Sequence, residues 1–315
     1  MRILVTGSSG YIASLLLPKL LDHPDVEMVV GVDRKPPRIE HPKLQVILDD
    51  ILNPLDDDLH RWQIDTVVHL AFVLSPSRWR RSRARRVNIR GARRVLEACQ
   101  AAKVKHVVWF SSTAAYGAYP DNPSTLSEDT PLQPNVRFPY SHHKAESDSM
   151  ARRFLERSPG TSLTLLRGCP VVGPNGGSAV QGWFSKPFFP RIPGFDPQMQ
   201  FIHEEDLAEI LARCIIEQIP GVYNVTGDGT VALSQVAYVL KKRLVPIPAW
   251  LLYPITSFLW GVGLSNIADA PGAGIDFIRY PWVASNDRIK EALGVASFRT
   301  SRQALEAYRS NSGKA

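Results

Sequence analysis

The chain opens on an apolar run, residues 2–6, that passes without a break into Thr6-Gly7-Ser8-Ser9-Gly10-Tyr11-Ile12-Ala13. Glycines at 7 and 10 and the small Ala13 suit a strand-to-helix turn in which the backbone approaches a bulky anion and the helix packs tightly on its strand. The helix N-terminus would present unpaired N–H groups and a partial positive charge to that anion. A glycine pattern by itself is weak. Directly after a first strand, it constrains the chain to begin with a βαβ unit able to hold the pyrophosphate of a dinucleotide.

The rest of the first half agrees. Apolar, β-branched runs at 2–6, 28–33, 44–48, 66–70, 106–111 and 162–167 alternate with helical patterns near 11–21, 87–102 and 140–156. The strands are continuously apolar rather than alternating, as in a parallel sheet covered on both faces. The predicted fold is α/β: a Rossmann-type doubly wound parallel sheet with a small C-terminal substrate-binding domain. Residues 118–137, rich in Pro, Asn, Asp and Ser, read as a surface loop. From about Pro170 the pattern degrades into Gly- and Pro-rich segments (173–177 and 187–197) between short elements. These are a strand–helix pair at 200–216, a strand at 222–225, and helices near 234–242 and 285–293. The expected division is a Rossmann domain over 1–169, with 199–218 returning to it, and a substrate-binding cap from 170–198 and 219–315.

Composition narrows the setting. Apolar residues make up 44% of the 315 and charged residues 21%, ordinary globular values. Cys99, Cys169 and Cys214 stand apart from each other and from any Cys/His cluster, so neither a disulfide framework nor a metal site is expected. The first strand begins at residue 2 with no charged and apolar leader before it, so a cytoplasmic location is expected. The net charge of +7 is local. Nine arginines fall between 78 and 94 with no acid among them, and without them the chain would be slightly acidic. Such a run reads first as a solvated helix face. It could also attract an acidic substrate, an anionic membrane surface or nucleic acid, the last being disfavoured. Residues 247–264 (IPAWLLYPITSFLWGVGL) are long and apolar, but Pro248, Pro254, Gly261 and Gly263 interrupt them. A lid or core helix is expected there, with at most a peripheral membrane contact.

The second strand ends in Asp33. A carboxylate there accepts both ribose hydroxyls of NAD and repels the extra phosphate of NADP, whereas Arg34 and Lys35 could bind that phosphate. NAD is therefore expected, with NADP possible. Tyr140 and Lys144 stand four apart, on one helical face. A free phenol, with a pKa of about 10, is a poor acid–base group at neutrality. A neighbouring ammonium and an oxidised nicotinamide would both favour its phenolate form.

With these residues in view the chain resembles the extended short-chain dehydrogenase/reductases, also called the NAD-dependent epimerase/dehydratase family. The resemblance covers essentially its whole length. It rests on 6–13, Asp33, Asp50-Ile51, His69-Leu70-Ala71, Asn88-Ile-Arg-Gly91, 110–117 (FSSTAAYG), Tyr140 with Lys144, 167–174, 201–206 (FIHEED) and Tyr223-Asn224. It implies Ser112, Tyr140 and Lys144 as catalytic residues, with Ser112 and Thr113 facing substrate. It implies a cofactor site built from Thr6, Gly7, Ser9, Gly10, Tyr11, Ile12, Asp33, Arg34, Asp50 and Ile51 (adenine side), Leu70, Ala71, Asn88, Ser111, Tyr140, Lys144 and Pro170. It also implies a homodimer through the tyrosine helix and the helix after the fourth strand. His142 and His143 read as surface or interface residues, His69 and His203 as packing.

Departures narrow the reaction. Sugar dehydratases of the family carry an acidic pair after the catalytic Ser/Thr, where this chain has Thr113 and Ala114, so water loss lacks its second proton carrier. Sugar-nucleotide epimerases carry an Asn where this chain has Pro170, which has neither that side chain nor a backbone N–H. The apolar 247–264 segment looks more like that of hydroxysteroid dehydrogenase relatives. The leading expectation is an NAD(P)-dependent oxidoreductase acting at a secondary alcohol or ketone of a small molecule. A nucleotide-sugar 4-epimerase of the UDP-sugar type is the alternative. A non-catalytic NAD(P)- or RNA-binding subunit is the third, supported only by the arginine run.

Overall fold

The computed structural model describes residues 1–74, 81–175, 180–264, 267–268 and 270–312. Arg78, Arg80 and the end of the glycine-rich 173–177 segment lie outside the described residues. β1 (Arg2–Thr6) leads into α1 (Tyr11–Leu21), then β2 (Met28–Asp33) and β3 (Leu44–Leu48). The chain crosses through α2 (Asp56–Arg61) to β4 (Thr66–His69). Next come α3 (Arg81–Arg85), a π-helical turn at Arg86–Gly91 and α4 (Ala92–Ala101). β5 (His106–Ser112), α5 (Pro139–Arg157), β6 (Ser162–Gly168) and β7 (Val171–Val172) follow.

The main sheet has seven strands. Its last is β11 (Gly221–Val225), and its order is β11-β6-β5-β4-β1-β2-β3, with every neighbouring pair parallel. The chain runs outward from β1 in one direction and from β4 in the other, so strand order reverses between them. Doubly wound sheets bind ligands at the carboxyl ends of the strands flanking such a reversal.

Two helical layers cover the sheet and explain its unbroken apolar strands. On one face Ile3, Val5, Val29, Val68 and Leu166 pack under α1 and α7 (Glu204–Ile216), with Leu16, Leu17, Leu20, Leu207 and Leu211. On the other, Leu4, Val30, Val67, Val107 and Leu165 meet Leu59 of α2, Val95 and Cys99 of α4, and Phe154 of α5. Ile3 and Leu4 are adjacent in sequence yet face opposite layers, the period of two that a strand imposes. Each such Leu or Val contributes about 1.5–3 kcal/mol by leaving water. β3 is one of the two edge strands, and its Leu48 is exposed.

The sequence-derived helix at 87–102 is instead two pieces, a π-helical turn at Arg86–Gly91 and α4, with α3 before them. The strand near 222–225, expected in the cap, is an edge of the main sheet, because its register with β6 continues the parallel ladder. The smaller region comprises α6 (Gln181–Phe184), β8 (Phe188–Arg191), β9 (Gln198–Met199), β10 (Ile202–His203), β12 (Val231–Ala232), α8 (Leu233–Val239), β13 (Arg243–Pro246), α9 (Ala249–Gly261), α10 (Asp287–Leu293) and α11 (Ser301–Ser312). Phe184, Phe189, Phe201, Val236 and Leu305 form its own core. Residues 247–264 were expected to give a lid or core helix. They form α9, of whose residues only Leu252 is buried. Among the described residues no helix is long and apolar enough to cross a membrane.

Candidate active site

The glycine turn lies at the strand-order reversal. Gly7 has φ of +75°, and a Cβ there would stand 2.7 Å from the backbone nitrogen of Ala71, just past β4. Only glycine fits both demands, since L-residues are strained at positive φ and this turn touches the next strand's end. Thr6, in β1, is buried, and its hydroxyl binds His69 Nδ1 at 2.8 Å and accepts from Ala71 N at 3.4 Å. Its side chain thus ties the strand ends together. Gly10 is the N-cap of α1 and has no side chain to satisfy the first-turn N–H groups. Those donors remain for an anion. The Tyr11 hydroxyl donates to the buried Glu204, whose other oxygen accepts from Asn175 N at 3.0 Å. Tyr11 therefore anchors the segment after β7, leaving its backbone to the turn.

At the end of β2, Asp33 accepts from Ser9 N at 3.1 Å and from Arg34 N at 2.6 Å, so one carboxylate spans the glycine turn and its own strand end. Arg34 lies 3.9 Å from Asp50, which Arg83 also reaches at 3.2 Å. Ile51 is buried against Gly91, where a Cβ would come within 2.6 Å of its Cδ1. The π-helical turn carries Asn88 inward. Its side chain accepts from Val73 N at 2.8 Å and donates to Val73 O at 3.1 Å. It thereby fixes the segment that bears Leu70, Ala71 and Phe72.

The candidate reacting groups come from β5 and α5. Ser112 closes β5 and caps a short 3-10 turn, Thr113–Tyr116, by accepting from Ala114 N at 3.2 Å. Thr113 is buried with its hydroxyl 3.4 Å from Gly168 O. Tyr140 begins α5, packed at 5.7 Å edge-on to Phe72 and 5.9 Å from Phe138. Burial raises its phenol above the ordinary value, and a hydrogen bond with Ser112 works the other way. Lys144, one turn on, is buried. Its Nζ donates to Phe110 O at 2.8 Å and sits 4.1 Å above the Phe72 ring. Desolvation pushes its pKa down to about 7, against the pull of Asp148. The sequence pointed to a lysine lowering its tyrosine. In this structure Ser112 is what opposes the burial of Tyr140, and Lys144 is itself lowered.

Other site residues divide clearly. Ser111 is buried, and neither its Oγ nor that of the buried Ser8 has a partner among the described residues. These two orphaned hydroxyls, the uncapped helix start and the glycine cradle fit a dinucleotide across the strand ends. Pro170 accepts from Ile202 N through its carbonyl at 3.0 Å. His69 stacks on Trp109 at 4.0 Å, and burial holds its pKa at about 3, consistent with packing. His143 is a correction. It is buried rather than at the surface, lies 3.3 Å from Asn88 Nδ2 and is pushed down to about 4 by burial.

Sequence reasoning missed the aromatic wall around Tyr140. Phe138 meets Phe277 at 5.4 Å, Phe277 meets Trp282 at 5.0 Å, and Tyr280 packs on the same cluster. Phe72 and Phe138 flank motif residues directly, a signal that was readable. Phe277, Tyr280 and Trp282 lie about 140 residues away from Tyr140, with no motif to announce them.

The sequence profile of the NAD dependent epimerase/dehydratase family matches residues 3–226. An uncharacterized protein of Mycobacterium tuberculosis is 25% identical over 313 residues, covering 97% of this chain and 82% of that protein. Among solved structures, MoeE5 in complex with UDP-glucuronic acid and NAD superposes with a TM-score of 0.76 at 23% identity, over all of this chain and 99% of that one. The UDP-glucuronic acid 4-epimerase of Bacillus cereus in complex with NAD gives 0.73 at 19% identity, again over all of this chain and 99% of that one. The structural likenesses speak to the seven-stranded fold, and the profile match spans more than half of the sequence. The chain belongs to the NAD dependent epimerase/dehydratase family.

Proposed function

We propose that the chain binds NAD across the carboxyl ends of β1, β2, β4 and β5 and acts at a secondary alcohol or ketone carbon. The reading is carried by the meeting of Tyr140, Ser112 and Lys144 beside the glycine turn at the strand-order reversal. Bound NAD supplies a hydride acceptor or, when reduced, a donor. Ser112 lies beside Tyr140 and offsets part of the effect of its burial, so both can address one substrate oxygen. The Tyr140 hydroxyl takes or gives the proton on that oxygen as its carbon changes oxidation state. Lys144 in its charged form favours phenolate on the shared helix face, and with a pKa of about 7 it changes charge in the working range. Asp33 suits the ribose hydroxyls of NAD. Ser111 and Pro170 would lie beside the nicotinamide, and Asp50 and Ile51 beside the adenine. Ala114, at a position where dehydratases carry an acid, disfavours water loss.

A second reading, a nucleotide-sugar 4-epimerase, draws on the full-length likeness to enzymes solved with UDP-sugars. It also draws on Arg279, which donates to Tyr253 Oη at 3.5 Å but whose Nε is buried without a partner among the described residues, next to Tyr280 of the Tyr140 cluster. Residues 170–198 and those after 225 would close over the substrate. A homodimer through α4 and α5 would bring together exposed Arg90, Arg93, Arg152 and Arg153. Like charges there predict a dimer that tightens with salt, which sedimentation at low and high ionic strength measures.

The test is incubation of the folded chain with NAD or NADP and two substrate panels, UDP-sugars and hydroxysteroid-type alcohols. Reduced nicotinamide accumulating with an alcohol supports the first reading. Interconversion of sugars with no net reduction moves the assignment to the second. A folded chain that binds neither dinucleotide ends both.

A further inference from the structure

α9 presents a surface that the redox site does not use. Trp250 is 78% exposed, Phe258 67% and Ile255 44%, with Leu251 and Pro254 open beside them. The turn that follows adds Val262, Leu264 and Ile267, the last 60% exposed. Apolar surface in such a contiguous strip is uncommon on a soluble chain and marks a contact. The helix is rigidly seated. Tyr253 donates to Asp276 at 2.6 Å, and Ser257 Oγ accepts from Gly272 N at 3.1 Å. The exposed face of α9 is therefore preformed.

Charge selects the occupant. Lys241, Lys242 and Arg243 lead into α9, and no acidic residue occurs from 241 to 264. At the far end the Arg81 guanidinium lies 3.3 Å over the Trp260 ring, joining α9 to the arginine helix α3. There Arg83 and Arg85 reach Asp50 and Glu146, while Arg86 and Arg90 continue the run exposed. An apolar strip bracketed by cations is complementary to headgroup phosphates above acyl chains. Two copies meeting through this face would set cations against cations at both ends, which disfavours a second copy. The helix, 13 residues and so about 20 Å long, is shorter than a hydrocarbon core of about 30 Å, so it lies in the interface plane.

We propose that α9, with its flanking Lys241–Arg243 and α3 cations, docks the protein on an anionic lipid bilayer. The test is co-sedimentation of the full chain, without cofactor or substrate, with vesicles of phosphatidylcholine alone or mixed with phosphatidylglycerol. Three proteins are compared: wild type, Trp250→Glu/Phe258→Glu and Lys241→Glu/Arg243→Glu. Both altered pairs are kept clear of the Tyr140 site, and circular dichroism checks their fold. The wild type should pellet with the anionic vesicles and much less with the neutral ones. The apolar pair should lower binding about tenfold or more, and the charge pair should lower the anionic preference, as added salt should too. The proposal is overturned if the wild type pellets with neither vesicle, or if the apolar pair binds as the wild type does. It is also overturned if size-exclusion chromatography shows a wild-type dimer that the apolar pair dissolves, which would give the face to a second copy.

Discussion

Tyr140 gains its chemistry from neighbours that the chain brings from three places: Ser112 at the end of β5, Phe72 after β4 and Phe138 before α5. Tyr140→Phe keeps the packing and removes the hydroxyl proposed to carry the proton. It should lower kcat by about 10²- to 10⁴-fold while the dissociation constant for NAD, measured by calorimetry, stays within a factor of a few. Asp33 braces Ser9 of the glycine turn and is the carboxylate proposed to meet the cofactor ribose. Asp33→Ala should raise the NADP-to-NAD ratio of kcat/KM by roughly tenfold, read from steady-state kinetics with each cofactor. Lys144 is the residue where function opposes stability. Its pKa falls from 10.5 to about 7, so between those values the unfolded chain binds the extra proton. The penalty is full below pH 7 and fades as pH rises towards 10.5. Lys144→Met should therefore be inactive yet more stable by about 2 kcal/mol or more at pH 6, with the gain shrinking by pH 10, as urea unfolding would show.

At the scale of elements, α5 is held to the sheet by a buried ion pair rather than by apolar contact alone. Arg167 of β6 meets Asp148 of α5 through two hydrogen bonds, 2.9 and 3.0 Å, with both side chains fully buried. The same guanidinium donates to Tyr116 Oη at 2.8 Å and to Glu128 O at 3.1 Å, so it also fixes the turn after Ser112. Asp148→Ala should cost about 3–5 kcal/mol in chemical denaturation, because the guanidinium is left charged and unpaired. Asp148→Leu/Arg167→Met should recover much of that loss. α5 itself was legible from its sequence, as were β1, α1, β2 and β3, because each joins a strong periodic pattern to a turn residue at its end. The π-helical turn was not legible. A single extra residue in a helical turn leaves the apolar pattern almost unchanged, and only the grip of Asn88 on Val73 makes it visible.

At the scale of the molecule, three of the buried histidines, His69, His106 and His143, set the response to acid. His69 is held near pKa 3, and His106 and His143 near 4, each lowered mainly by burial. Each is neutral when folded and free to take a proton when unfolded. Their contribution is whole above pH 6.5 and is lost as pH falls towards the folded values. Between pH 6 and 4.5 stability should fall by up to about 4 kcal/mol per pH unit, the slope for three protons, which urea midpoints across that range would measure. His69→Gln should flatten the slope by about a third. Lys144 lets stability rise from pH 7 towards 9; above that the buried thiols of Cys99, Cys169 and Cys214, all pushed up by burial, reverse the trend.

The apolar strands, the glycine turn, Asp33 and the Tyr140–Lys144 pair were set by the chain alone, since each depends on residues within a few positions of one another. Local spacing decides which side chains share a helix face or end a strand. Tertiary structure decided what could not be local. It drew Phe277 and Trp282 to Tyr140, Glu204 to Tyr11 and β11 to the main sheet. It turned His143 inward and left α9 facing out. Hydropathy reports that a segment is apolar, but whether it is buried depends on what the rest of the chain stacks against it.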